Sequence, residues 1–204
     1  MENTETKKSE NKLDKIKNSE IVKKTSLIKA LLIAHQGKEL PRELKTKVMM
    51  TRIYYNGFYK KFEDAVKEAT EGLKPEGFDK EKEEVSKLQE KIQKQCKDLS
   101  SLTEEMLKNI LTDEEFDKHK AFMDMYNKHW RDVADFKSKK LNEEVEVEQK
   151  TFTQKEYEDL VNVNVADNYT IEQVLTDFQG MSITTEKQIS TTDFLEMIYE
   201  NFVC

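Results

Sequence analysis

Residues 41–73 read PRELKTKVMMTRIYYNGFYKKFEDAVKEATEGL, and the spacing within this stretch decides the fold class. Leu44, Val48, Tyr55, Phe58, Phe62, Val66, Ala69 and Leu73 recur in steps that return to one face of an α-helix. Pro41 suits the first turn, where a helix has no use for an amide donor. Gly72, Pro75 and Gly77 then supply a turn that closes the segment. Met49, Met50, Ile53, Tyr54 and Tyr59 widen the apolar stripe well beyond one seam. Such a helix needs neighbours on two sides.

Working outward, the same period predicts further helices. One runs from about Ile21 to His35, with Leu27, Ile28, Leu31 and Leu32 on one face and Gly37 past its end. Another starts near Asp79, where Val85, Leu88, Ile92, Cys96 and Leu99 form a narrow, coiled-coil-like seam. Ser101-x-x-Glu104 and Thr112-x-x-Glu115 are capping-box patterns that restart helix. The helix that follows reaches about Leu141, aligning Phe116, His119, Met123, Tyr126, Trp130 and Val133. With only five Gly and two Pro in 204 residues, few breakers interrupt these runs. Charged residues reach 37% against 36% apolar, too little apolar material for a single thick core. The expected fold is therefore mainly α: a long antiparallel helical hairpin or small bundle over residues 21–141.

The two ends read differently. Residues 1–20 are polar, with no apolar h-region, and are expected to be a disordered tail rather than a signal peptide. Residues 142–204 are expected to form an extended acidic arm with short helices. Glu144 to Glu148 alternates with period two, as an exposed strand does. Thr153-x-x-Glu156 and Thr170-x-x-Gln173 each predict a short helix, and residues 181–190 another extended piece. A last helix from Thr191 or Thr192 carries Phe194, Leu195, Ile198, Tyr199 and Phe202. It either reaches a partner or folds back on the helical body. From Leu141 onward three lysines face fourteen Asp and Glu, a balance of −11, whereas the first 140 residues carry +4. That acidic last third is either a solvated face or a surface unsuited to nucleic acid.

No constellation for catalysis emerges. His119 and His129 lie ten residues apart on one helix, about 15 Å of rise, too far to share a metal. His35 stands alone, and Cys96 sits on an apolar stripe while Cys204 ends the chain. Phosphate-binding glycine loops, Gly-x-Ser-x-Gly and His-Glu-x-x-His do not occur. Catalytic, cofactor and metal residues are accordingly not expected, nor is a small-molecule substrate, and the reading is that of a non-enzyme. Arg52 and the Tyr54 to Lys61 segment mix bases with aromatics, as single-strand binders do. The helical period sends most of those rings into the core stripe, so nucleic acid is not expected to be a partner. Nor is a membrane: no run approaches the roughly 18 apolar residues of a spanning helix.

Leu40-Pro41 with the helix through Val66, the arm Leu141-Asn142-Glu143-Glu144-Val145-Glu146-Val147, the segment Phe152 to Leu160 and the terminal Asp193-Phe194-Leu195 resemble a family in order and texture. It comprises short helical-hairpin proteins encoded in the structural and morphogenesis modules of tailed bacteriophages. The resemblance implies a virion structural or assembly protein, made in the host cytoplasm. It would act as a repeated subunit of a ring, head–tail connector or tail component. Its partners would be copies of itself and other virion proteins, gripped through Val145, Val147, Phe194, Leu195, Ile198 and Phe202. The other reading is a cytoplasmic regulatory adaptor that binds a single protein partner.

Overall fold

The computed structural model describes residues 13–35, 38–96, 102–163, 167–177 and 181–203. Seven helices and two two-stranded antiparallel sheets make up the described elements, and the chain is mainly α. It divides into two compact units, residues 1–65 with 137–204 and residues 66–136.

The first unit is built around α1 (Asn18–Ala34). Every residue from Lys24 to Ile28 is buried, so the middle of this helix is covered more widely than the single face its leucines predict, while Lys29 and Ile33 stay exposed. Strand β1 (Leu13–Lys17) runs directly into it and pairs antiparallel with β2 (Glu144–Glu148), setting Ile16 opposite Val145 and Asp14 opposite Val147. Asn18 secures the junction. Its amide donates to Glu143 O at 2.9 Å and its side chain to Lys140 O at 2.8 Å. The disordered tail expected over residues 1–20 is thus corrected for 13–20, which β2 orders by giving β1 a partner strand; residues 1–12 lie outside the described residues.

A second correction concerns Thr170-x-x-Gln173, expected to open a helix. The segment belongs to β3 (Asn168–Thr176), which pairs with β4 (Ser182–Ser190) as an antiparallel hairpin. Tyr169 and Ile171 point inward, and the β-branched Thr170, Ile171 and Val174 suit a pleated surface. A capping-box pattern is four residues long; burial of Tyr169, Ile171 and Ile189 with Leu27, Ile28 and Leu31 of α1 holds the segment in strand and wins.

The last third also supplies α6 (Gln154–Asn162) and α7 (Thr191–Phe202), and the amide of Phe152 donates to Phe202 O at 2.5 Å. Phe152, Leu160, Phe194, Ile198 and Phe202 are all essentially inaccessible. The expected division at residues 141 and 142 is therefore corrected: residues 142–204 are half of the core around α1, not an appended arm. The capping box at Thr153 forms as expected, with the side chains of Thr153 and Glu156 each satisfying the other's amide.

In the second unit α3 (Phe78–Gln95) lies antiparallel to the first half of α5 (Asp113–Asn142). The start of α3, at Phe78 and Val85, packs on Phe122, whereas its end, at Ile92, packs on Leu111 and Phe116. Lys91 to Glu115 at 2.5 Å and Lys118 to Glu84 are ion pairs along this seam. The short α4 (Glu104–Ile110) is capped by the hydroxyl of Thr103. Ser101, expected as that cap, and Leu99, expected on the seam, lie outside the described residues. Thr112 and Glu115 form their predicted reciprocal bonds at the start of α5.

Candidate protein-docking surface

The long helix that decided the fold class is α2 (Arg42–Gly72). Its inner face buries Leu44, Val48, Thr51, Tyr55 and Phe62. Tyr55 anchors it: the ring meets Phe202 edge-on at 6.0 Å, and the hydroxyl accepts from the amide of Lys150 at 3.3 Å. Tyr54 beside it accepts from the amide of Glu148 at 2.6 Å, and the two bonds fix the chain that follows β2.

About a third of a turn away, α2 presents a second stripe. Arg42, Lys45, Met49, Arg52, Ile53, Asn56 and Lys60 recur in helical steps, and all are exposed. Met49 is 48% exposed and Ile53 62%, and Ile33 of α1 is also 62% exposed. Leu32, Met49, Arg52, Ile53 and Asn56 line a groove of about 410 Å³ between the two helices. Its walls are apolar and its rim carries cations. On the opposite flank of α2, Met50 is equally open, beside a groove of about 480 Å³ bounded by Lys47, Tyr54 and Gln149.

A cleft of about 360 Å³ adjoins the first groove and shares Arg52 and Asn56 with it. Lys29 and Arg52 stand on its helical walls, Glu172 and Glu186 on its strand wall. The Tyr59 hydroxyl donates to Glu172 Oε2 at 3.2 Å. Burial, reinforced by the carboxylates of Glu172 and Glu63, pushes its pKa far above that of a free phenol. Tyr59 therefore keeps its proton and acts as a fixed donor.

The six residues expected to grip a partner lie elsewhere. Val147, Phe194, Ile198 and Phe202 are buried, and Val145 and Leu195 pack against the same core. Phe194 stacks on Tyr169 with ring centroids 3.8 Å apart and planes 7° from parallel. Their placement is a correction: these side chains fill the interior of their own chain, where they pack in one core with Ile21, Leu27, Ile28 and Leu31 of α1. What α7 turns outward is acidic, namely Asp193, Glu196 and Glu200 around a Tyr199 that is 46% exposed.

The histidines are structural in setting. His35 is buried with Nδ1 2.7 Å from Leu31 O and Nε2 3.0 Å from Leu160 O, bridging α1 to α6. His129 lies against the Phe78 ring at 5.0 Å, and burial depresses the pKa of His119. Cys96 is buried, and Cys204 lies outside the described residues. Among the described residues no group of three or more His, Cys, Asp or Glu could hold a metal ion. None of their helices is long and apolar enough to cross a membrane.

The exposed α2 stripe holds none of the six residues expected to grip a partner, all of which belong to the last third. Its signal was present, since Met49, Met50 and Ile53 already exceeded what one seam needs. Compared with protein-family models, curated proteins and solved structures, the chain has no significant match.

Proposed function

We propose that this chain is a non-catalytic structural or assembly subunit of a tailed-phage virion. It is repeated in a ring, head–tail connector or tail component, and it binds neighbouring protein chains. The observation that carries this reading is the open groove at Leu32, Met49 and Ile53, with Ile33 beside it. Contiguous exposed apolar surface rimmed by charge is characteristic of protein interfaces. Methionine there adapts its shape to a partner at little conformational cost. The phage setting comes from the resemblance of the Leu141 to Val147 arm and its flanking helices to phage morphogenesis proteins. Its partners are copies of itself and other virion proteins, and its location is the virion.

The test is co-purification. Assembled particles or tails should contain the chain at fixed stoichiometry by mass spectrometry. The double variant Met49→Glu, Ile53→Glu should fold yet fail to enter them. Particles that form normally without the chain, or that take up the variant as well as the wild type, would refute the reading.

A further inference from the structure

We infer that the groove on α2 receives a second copy of this chain, which enters with the outer face of α7. The inference rests on the reading of the chain as a repeated subunit and names the contact that repeats. Arg42, Lys45, Arg52 and Lys60 line the exposed stripe of α2, and among the described residues no ion pair takes up any of them. α7 contains no cation at all, and its outer face sets Asp193, Glu196 and Glu200 around Tyr199. Each stripe thus sets apolar side chains among charges, mainly cationic from Arg42 to Lys60 on α2, where Glu63 ends the run and Glu172 and Glu186 flank the adjoining cleft, and wholly acidic on α7.

The two faces cannot satisfy each other within one chain. α2 turns Tyr55, and α7 turns Phe194, Ile198 and Phe202, into the same core. Their outer stripes consequently point away from that core. Between copies the match is direct. Tyr199, held edge-on against Tyr157 of its own copy at 5.2 Å, lays its exposed side over the groove at Leu32, Met49 and Ile53, while Glu196 and Glu200 meet Arg52 and Lys45. Different surfaces of the two copies meet, so a contact made once per pair is heterologous and propagates into a ring or filament, as a repeated subunit requires. A rim of opposed charges also sets the register and suppresses contacts between like faces.

The test uses the full chain in sedimentation velocity. The wild type should self-associate at low ionic strength and dissociate as salt screens the rim. Lys45→Glu with Arg52→Glu, and separately Glu196→Lys with Glu200→Lys, should each weaken self-association by roughly tenfold or more. Circular dichroism should show both variants folded, since all four side chains are exposed and none is in an ion pair among the described residues. An equimolar mixture of the two should associate again, because each variant offers the face that the other lacks. A wild type that stays monomeric at low salt overturns the pairing, as does a mixture that remains monomeric. If that monomeric wild type still enters particles, the self-contact is wrong and the subunit reading survives. Binding of a single-stranded oligonucleotide at Arg52 and Lys60, without self-association, also overturns it.

Discussion

The backbone amide of Glu172 on β3 donates to the Ser26 hydroxyl on α1 across 2.7 Å, joining residues 146 positions apart. The bond identifies the β3–β4 hairpin as a cover for the central helix. It also satisfies an amide on the edge of β3 that β4 does not reach. Ser26 itself is buried.

Ser26→Ala leaves that amide without a partner and should destabilise the chain by about 1–2 kcal/mol. Urea denaturation followed by circular dichroism measures this directly. Ser138→Ala, which removes the acceptor for the amide of Ser182 at 2.8 Å, should behave similarly at the other end of the hairpin. A loss near zero at both positions would mean that water replaces the hydroxyls and that the hairpin is not clamped.

Phe194→Ala should cost about 3–5 kcal/mol, the usual range for emptying an aromatic site in a packed core. Deleting residues 192–204 should abolish the cooperative unfolding transition of the first unit, because Phe194, Ile198 and Phe202 line the interior around α1. If the deletion instead kept a cooperative melt and lost only assembly, the helix would be a docking element after all.

Glu156 links acidity to stability. Burial raises its pKa, but the hydrogen bond from Lys47 at 2.6 Å and the amide of Thr153 outweigh that, and the net shift is downward. A carboxyl whose folded pKa lies below its unfolded value stabilises the fold above the unfolded value, about 4.3 for Glu, and that contribution vanishes as pH falls through the folded pKa. Glu156→Gln preserves the cap but not the charge. The variant should therefore be less stable than the wild type at neutral pH and converge with it in acid. Urea midpoints across the range check this, and a gap that widens on acidification would contradict the assignment.

Two glycines should respond in opposite senses. Gly57 lies inside α2 with no atom within 4 Å of where a Cβ would stand, so Gly57→Ala should stabilise by about 0.5–1 kcal/mol. Gly77 caps α3 at φ +80°, and Gly77→Ala should destabilise by about 1 kcal/mol because an L side chain resists that region. Thermal melts of the two variants should shift in opposite directions.

Helix was legible wherever the information is local. The stripe from Leu44 to Leu73 placed α2, Phe116 to Val133 placed α5, and the Thr112 and Thr153 boxes formed as read. The period-two run at Glu144 became β2 for the same reason. The docking surface was half legible: the excess of Met49 and Ile53 showed in the sequence, but which apolar face stays open depends on what the rest of the chain covers.

The sequence by itself determined the mainly α class and most helix boundaries, because spacing, caps and breakers act within a few residues. Only the tertiary structure decided that β1 pairs with a strand 127 or more residues away, that Thr170 to Gln173 is strand, and that Phe194, Ile198 and Phe202 face inward. The physical reason is the surface of α1. Its middle, Lys24 to Ile28, is buried all round, and the hairpin and α7 that enclose it come from the distant last third. Thr170 to Gln173 follows that burial against its local pattern, whereas β2, the Thr153 box and the last helix follow theirs.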